Sequence, residues 1–428
     1  MDLLIAFALT LALITVVSIY YRVSPFFTLV GGAILFGLLA GMTLDTTIKE
    51  IVSGAGKVFS SFGIIIFCGA VIAAFIQERH QAEEIVSDIK RMIKNPPALA
   101  GFSGWLLSVP ITCCVTAFVM LVPILKCLDT DKRKQNMLLY LAAVGSIVSY
   151  TLIYPTPAVI PLFTTFSAGT SALHYDAIAI PLSLVLLFGA ILFIRWTCTG
   201  AFRTGDEGQS CPAGISLPGR SPGVLGLHWQ AWAPFIGILL AIPVSFLLLG
   251  LTQAGIMNFI MLAGAVTAIT IAPHEIRSRS VTNGAKHAGL IIFDICGAGA
   301  LGYVIVHSGF TEQALHQMTL FLPVILVPFI IAALLATAQG SRVTTAVITA
   351  EVLAGSVIIG AIHPIPLILL IAAGSCVVSY VTDPFFWLVQ RTTGDDIRTM
   401  VKNYTLPVAL AGIAIFIVAV ALEYGVYR

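Results

Sequence analysis

Long apolar runs dominate this sequence and constrain its fold more strongly than any other feature. A bilayer core about 30 Å thick is crossed by about 20 apolar residues in an α-helix. Runs of nearly that length lie at 3–20, 25–41, 61–77, 137–155, 177–194, 231–252, 255–273, 289–306, 366–388 and 405–424. Charged residues make up only 10% of the chain, whereas soluble proteins carry about 25%. The sequence therefore predicts an all-α polytopic membrane protein with about ten transmembrane helices, and it excludes a soluble enzyme or a nucleic-acid-binding protein.

Two further apolar stretches, 98–127 and 325–355, are interrupted near their centres by small and polar residues. The first is broken at 108–112 and the second at 337–342. Each arm of about 15 residues would be about 22 Å long as a helix, too short to cross the bilayer. We therefore expect two re-entrant hairpins, because broken backbone is tolerated at membrane depth where protein or water surrounds it.

The basic residues support this topology. With ten crossings and two hairpins, 18 of the 22 Lys and Arg residues fall on one side of the membrane, and Lys49, Lys57 and Arg428 fall on the other. Arg342 remains inside the second hairpin. Because positive residues collect on the cytoplasmic side, we expect a cell-membrane protein with both termini outside.

The two halves of the chain resemble each other at an offset of about 228–230 residues. Matching segments, in the same order, are 67–70 with 295–298, 115–116 with 343–344, and 145–150 with 374–380. An odd number of crossings in each half would place the second half upside down. The sequence thus predicts two inverted repeats, at 1–195 and 231–428, joined by a cytoplasmic linker at 196–230. This plan is common among secondary transporters, whose sites lie near the membrane midplane.

Arg342 lies where a charged side chain is costly, in the middle of the second hairpin. Free N–H groups at the start of a helical arm favour an anion, and Gly340 permits close backbone approach. Arg342 either faces an anionic substrate or forms a structural ion pair with Asp383, Asp294 or Glu351. The polar side chains around it that we expect to bind substrate are Gln339, Ser341, Thr344 and Thr345.

The first hairpin has a matching interruption at 108–112, where Pro110 removes a backbone donor. Ser108 and Thr112 are candidate substrate-binding residues in this segment. The alternative for Thr112 and Thr116 is a hydrogen bond to a carbonyl of their own helix.

The span that follows each hairpin is also interrupted by proline. Tyr150 precedes the segment 154–157 in the first half, and Ser379 and Thr382 precede Asp383-Pro384 in the second half. These polar residues are candidates for binding substrate. A carboxylate within the membrane is a candidate proton carrier, so Asp383 is predicted to couple protons to transport; the alternative is that Asp383 caps a helix.

Three segments of the C-terminal half resemble the gluconate permease (gluconate:proton symporter) family: Ile295-Cys-Gly-Ala-Gly-Ala with His307-Ser-Gly309, Ala338-Gln-Gly-Ser341, and Ser379-Tyr-Val-Thr-Asp383-Pro-Phe-Phe-Trp387. The resemblance covers nearly the whole C-terminal half, and Tyr154-Pro-Thr-Pro157 is similar to a proline-rich element of the first half. It implies a fold of the ion-transporter superfamily and uptake of sugar acids or related hydroxy acids with protons. This sequence departs from the family at Arg342, where a small residue is usual, and at Tyr380, Thr382 and Pro384.

The sequence therefore predicts a secondary active transporter, a proton-coupled symporter of small organic anions, with a homodimer as a further expectation. Alternatives are a sodium-coupled organic-anion transporter, an inorganic-ion antiporter of the same superfamily, and a channel. The eight cysteines form no CxxC pair, and we expect no metal site, cofactor or enzymatic activity.

Overall fold

The structure, a computed structural model, is helical throughout the part of the chain that it describes. It describes residues 3–20, 25–126, 128–129, 131–167, 170–199, 228–247, 253–310, 313, 321–379 and 383–427. The predicted linker at 196–230 therefore lies largely outside the described residues. The all-α prediction is confirmed.

The helices of the first half are α1 (Leu3–Tyr20), α2 (Pro25–Leu39), α3 (Leu44–Glu78), α4 (Gln81–Met92), α5 (Pro96–Ser108), α6 (Cys114–Lys126), α7 (Lys132–Leu152), α8 (Ile160–Phe166) and α9 (Ala172–Thr199). Those of the second half are α10 (Trp229–Leu247), α11 (Gln253–Ile271), α12 (His274–His307), α13 (Leu326–Gln339), α14 (Arg342–Leu353), α15 (Ile358–Ala361), α16 (Pro364–Val377), α17 (Pro384–Thr393), α18 (Ile397–Met400) and α19 (Leu406–Leu422). Two π-helical turns flank α19, at Val401–Thr405 and Glu423–Tyr427. The offset of 228–230 residues predicted from the sequence would pair α3 with α12 and the helices α5–α6 with α13–α14.

Four helical segments among the described residues are long and apolar enough to cross a bilayer by length and composition: Leu44–Glu78, Ala172–Thr197, His274–His307 and Ile397–Tyr427. Several shorter apolar helices accompany them. The predicted number of crossings and the inverted repeat stay predictions.

The two long helices α3 and α12 pack against each other at the centre of the molecule. Gly54 faces the carbonyl oxygen of Gly299 with no room for a Cβ, and a Cβ on Gly284 would lie 2.8 Å from the Cα of Val71. Because contacts early in one helix fall late in the other, α3 and α12 run antiparallel. Antiparallel packing of corresponding helices is the arrangement that an inverted repeat predicts.

Both long helices extend well beyond the apolar runs at 61–77 and 289–306. Helix α3 begins at Leu44, where Thr43 caps it by accepting a hydrogen bond from the amide of Thr46. Its 35 residues correspond to about 52 Å. Hydropathy missed the polar first half of each helix, which is stabilised by close packing between the helices at Gly54 and Gly284 and by isolated buried side chains such as Ile51 and Val58.

The two interrupted stretches each form a pair of short helices joined at a tip, as the hairpin prediction requires. The tip of α5–α6 ends with Thr112 in the left-handed region, at φ 54°. The tip of α13–α14 turns at Gly340, at φ 63°, a conformation that glycine adopts without steric cost. The proline interruptions are also present, since α7 ends at Leu152 and α16 ends at Val377.

The amphipathic helix α4 attaches the first half to the start of the second. The Asp88 carboxylate accepts hydrogen bonds from the His228 amide at 2.9 Å and the Trp232 indole at 3.0 Å, and it lies 2.9 Å from His228 Nδ1. Burial raises the pKa of Asp88, but these bonds outweigh burial and hold the pKa below its usual value. The helix that follows the undescribed linker is thereby fixed to α4.

We predict that Gly54→Ala destabilises the protein by about 1–3 kcal/mol, the usual cost of overpacking a core. The added methyl group would meet the Gly299 carbonyl and push α3 and α12 apart. The thermal midpoint of the purified protein in detergent measures this effect. Gly56→Ala is the matched control, because a Cβ at Gly56 meets nothing within 4 Å. Equal midpoints for the two variants would contradict the proposed packing.

Candidate functional site

The site is built around Arg342, the first residue of α14. Ser341 caps this helix by accepting a hydrogen bond from the Thr344 amide at 3.3 Å. The Arg342 side chain is only 7% exposed. Its guanidinium donates to Ser379 Oγ at 2.5 Å and to Asp383 Oδ2 at 3.4 Å. Of the structural alternatives predicted for Arg342, the ion pair with Asp383 is therefore the one that forms.

Asp383 has two roles in the structure. Its Oδ1 accepts a hydrogen bond from the Phe385 amide at 2.9 Å, which caps α17. Its Oδ2 pairs with Arg342 and accepts a hydrogen bond from the Tyr404 hydroxyl at 3.0 Å. The capping role is confirmed, and the second oxygen makes the carboxylate the counter-ion of a buried guanidinium. A buried charge needs such a partner.

Polar groups at the site lack partners among the described residues. Arg342 Nε and Thr345 Oγ1 are buried and form no hydrogen bond there. Thr344 is also buried, at 2% exposure. A buried polar group without a partner costs free energy. The site therefore retains one guanidinium donor and one hydroxyl on α14 that a ligand can use.

The first half of the chain contributes to the same region. Cys114, the first residue of α6, and Tyr150, near the end of α7, are buried close to Arg342. The rings of Phe118 on α6 and Phe385 on α17 meet edge to face at 5.4 Å. Hence the first hairpin and the first-half interruption approach the Arg342 site.

Two predicted residues of the first half are engaged elsewhere. Ser108 donates its hydroxyl hydrogen to the Ser146 carbonyl at 2.8 Å. Thr112 packs against Gly69, where its side chain fills the space a Cβ would need. Both residues fix the position of the hairpin tip. Among the described residues, the hydrogen bonds of Arg342 go to Ser379 and Asp383 and not to these two.

Two other predicted residues fall outside what the structure describes. Thr382 lies outside the described residues, and so does the side chain of Gln339. Gly340 ends α13 with its amide donating to the Ala336 carbonyl at 2.8 Å.

Three other polar residues of the second half make structural contacts away from Arg342. Asp294 accepts a hydrogen bond from the Phe26 amide at 3.3 Å, at the start of α2. Glu351 pairs with Lys57 at 3.0 Å. His363 caps α16 and stacks on Tyr427 with ring centroids 3.7 Å apart. No group of three or more His, Cys, Asp or Glu residues that could hold a metal ion occurs within the described part of the chain.

Tyr404 and Thr405 are residues of the site that sequence reasoning missed. Both lie at the π-helical turn before α19, where Thr405 donates its hydroxyl hydrogen to the Ser379 carbonyl at 2.7 Å. In the sequence they lie at the start of the last apolar run and look like ordinary interface residues. No local signal in the sequence marks them, because the π-helical turn that holds them, a feature frequent at functional sites, is visible only in the structure.

Comparisons with known proteins are consistent with this picture. The profile of the GntP family permeases matches residues 1–208 and 232–424. The Gnt-II system L-idonate transporter of Escherichia coli is 26% identical and aligns over 94% of this chain and 96% of its own. A high-affinity gluconate transporter of the same organism is 24% identical over 94% and 95%.

Solved structures show the same fold. The YdaH transporter of Alcanivorax borkumensis superposes with a TM-score of 0.62 at 14% identity, covering 89% of both chains. MtrF of Neisseria gonorrhoeae superposes with a TM-score of 0.56 at 17% identity, covering 87% of this chain and 83% of its own. Because the family profile matches nearly the whole sequence, this chain is a multi-pass membrane transport protein that belongs to the GntP family of permeases.

Proposed function

We propose that this protein is a secondary active transporter that moves small organic anions of the sugar-acid type together with protons. Relatives named as gluconate and L-idonate transporters support the substrate class. The observation that carries the proposal is the buried pair between Arg342 and Asp383. A guanidinium with an unused donor in a buried site is suited to a carboxylate, which it can bind through two nitrogens.

The substrate carboxylate is proposed to replace Asp383 as the counter-ion of Arg342. At 3.4 Å the Arg342–Asp383 contact is long for a charge-assisted hydrogen bond, which is usually about 2.7–2.9 Å. The incoming anion would gain Arg342 Nε as a further donor. Thr345 on α14 and Ser341, which caps this helix, would bind the hydroxyl groups of a hydroxy acid.

Proton coupling follows from the same exchange. Once the substrate occupies Arg342, the Asp383 carboxylate loses its counter-charge in a buried site. An unpaired buried carboxylate is so costly that it takes up a proton instead. Tyr404, which donates to Asp383 in the unloaded state, can accept a hydrogen bond from the protonated acid. One anion would thereby require one proton.

The wider architecture that we propose comprises two inverted repeats, at 1–195 and 231–428, with the substrate between the hairpin tips and the two interruptions. The antiparallel packing of α3 and α12 and the matching order of helices support this arrangement. We further propose a cell-membrane location with both termini outside, and a homodimer.

Neutralising the pair tests the role of Arg342. Removing one partner of a buried ion pair costs about 3–5 kcal/mol, so the double variant Arg342→Gln/Asp383→Asn is preferred to either single change. We expect this variant to fold but to take up D-gluconate about 100-fold more slowly, since a charged hydrogen bond is worth about 1.5–3 kcal/mol. Uptake by exchange, in proteoliposomes without a pH gradient, gives the rate, because exchange does not require proton release from Asp383.

Arg398→Gln is the matched control for this experiment, because Arg398 is an exposed arginine near the same end of the chain. The control should transport D-gluconate at the wild-type rate. Wild-type uptake by the folded double variant would contradict the role assigned to Arg342.

Asp383→Asn, prepared with D-gluconate present so that the substrate carboxylate can partner Arg342, separates proton coupling from binding. The amide resembles a protonated carboxyl group and cannot release a proton, so we expect exchange of D-gluconate across the membrane to continue while accumulation driven by a pH gradient is lost. Measuring both processes in proteoliposomes, with and without a sodium gradient, distinguishes the coupling ion. Asp45→Asn, at an exposed carboxylate on α3, should keep both. If Asp383→Asn retained pH-driven accumulation, the proposed proton carrier would be wrong.

A further inference from the structure

A cavity of about 480 Å³ lies between α3, α12 and the arm α6 of the first hairpin. Its volume falls within the range of about 300–1,000 Å³ that small-molecule pockets occupy. The residues that line it are Ala70, Ala73, Ala74, Gln77, Glu78, His80, Thr116, Arg279, Asn283 and His287. None of them belongs to the site around Arg342.

The α12 wall of this cavity is a row of polar side chains. Arg279, Asn283 and His287 are spaced four residues apart, so they lie above one another on a single helix face. All three are exposed and lie in the polar first half of α12, before the apolar run at 289–306. Exposed polar side chains there face water rather than lipid. The cavity therefore opens to water at the polar end of α12.

The opposite wall is formed by small residues of α3. Ala70, Ala73, Ala74 and Gln77 share one face of that helix, with spacings of three and four residues. The alanine side chains on this face are small, so they leave open the space into which Arg279, Asn283 and His287 project. The row ends at the hairpin, because His287 Nε2 lies 3.1 Å from Thr116 Oγ1, one helical turn beyond the tip at Thr112.

The corresponding position in the other half of the molecule is closed. An offset of 230 relates His287 to Lys57 of α3, and Lys57 Nζ lies 3.0 Å from Glu351 Oε2 on α14. Helix α14 packs directly on α12 there, with the Glu351 Cβ 3.2 Å from the place of a Cβ on Gly302. Thus α6 stands apart from α3 across a cavity, whereas its counterpart α14 is packed against α12. The molecule is open on one side and closed on the other.

We propose that the cavity between α3, α6 and α12 is the entrance through which the organic anion passes between water and the Arg342 site, and that Asn283 and His287 bind the anion there. This inference rests on the proposed function. Arg279 at the mouth supplies positive charge, although its pairing with Glu78 at 3.3 Å moderates that charge. Asn283 donates one hydrogen bond to Glu78 Oε1 at 2.8 Å, and the second hydrogen of its amide, together with His287, offers hydrogen bonds to the anion. Thr116, next to His287, would transfer the anion to the tip.

The face on which this entrance opens carries Arg79 and Arg279, which belong to the side that the distribution of basic residues predicts to be cytoplasmic. In the conformation described, the protein would thus exchange anions with the cytoplasm, while the pair Lys57–Glu351 closes the outer side.

Substrate protection of a cysteine in the cavity tests the inference. In Asn283→Cys, a water-soluble maleimide should label position 283, as measured by mass spectrometry of the peptide that carries it. Saturating D-gluconate should slow labelling about fivefold or more, the effect expected if bound ligand covers the site most of the time. Gln77→Cys on the α3 wall repeats the test if Asn283→Cys does not fold.

Thr282→Cys is the matched control, because Thr282 is exposed on α12 beside Asn283 but does not line the cavity. Its labelling should not change with D-gluconate. Absence of labelling at 283, or labelling that D-gluconate does not slow although the wild type transports it, would overturn the entrance and leave the proposed function intact. If the wild type neither transports D-gluconate nor is stabilised by it, the proposed function itself fails, and the inference fails with it.

His287→Ala provides a kinetic readout. Loss of one neutral hydrogen bond, worth about 1 kcal/mol, should raise KM for D-gluconate about fivefold with little change in the maximal rate. His307→Ala, on the same helix and outside the cavity, should leave KM unchanged. An unchanged KM in His287→Ala, or an equal increase in both variants, would refute the role of His287 in binding.

Discussion

The structure of the site depends on one buried ion pair, between Arg342 and Asp383. Neither charge could remain in this apolar protein without a partner, because an isolated charge buried away from water is too costly. The pair also ties two helix starts to each other, since Arg342 begins α14 and Asp383 caps α17. Tyr404, just before α19, donates to the same carboxylate. Three separate segments of the second half therefore meet at one carboxyl group.

Interrupted helices make this meeting geometrically possible. A continuous helix satisfies its own backbone and leaves no polar group for a ligand, whereas a helix that begins inside the protein offers a side-chain cap and free amides. The interruptions need tight turns, which Gly340 supplies in one hairpin, and close packing, which Gly54 and Gly299 supply between the long helices. Small residues therefore bring the chain close enough for the polar site to form.

Much of the fold could be predicted from the sequence, because membrane-spanning helices appear in it as apolar runs and their interruptions as helix-breaking residues. The interruptions around 108–112 and 337–342 and the proline breaks after Tyr150 and Ser379 all appear in the structure. The lengths of α3 and α12 could not be predicted, because packing between the two helices, rather than a continuous apolar run, stabilises their polar halves. The pairing of Arg342 with Asp383 was one of several alternatives, and only the tertiary structure could choose among carboxylates far apart in sequence. Tyr404 carried no local signal, since its role arises solely from its contact with Asp383.

The central claim of this account is that the substrate anion displaces Asp383 from Arg342 and that Asp383 then takes up a proton. Infrared difference spectroscopy on the reconstituted protein measures this step most directly. On addition of D-gluconate, the account predicts a new band from a protonated carboxyl group that is absent in Asp383→Asn. A spectrum in which D-gluconate binds without such a band, or with a band that persists in Asp383→Asn, would contradict the account.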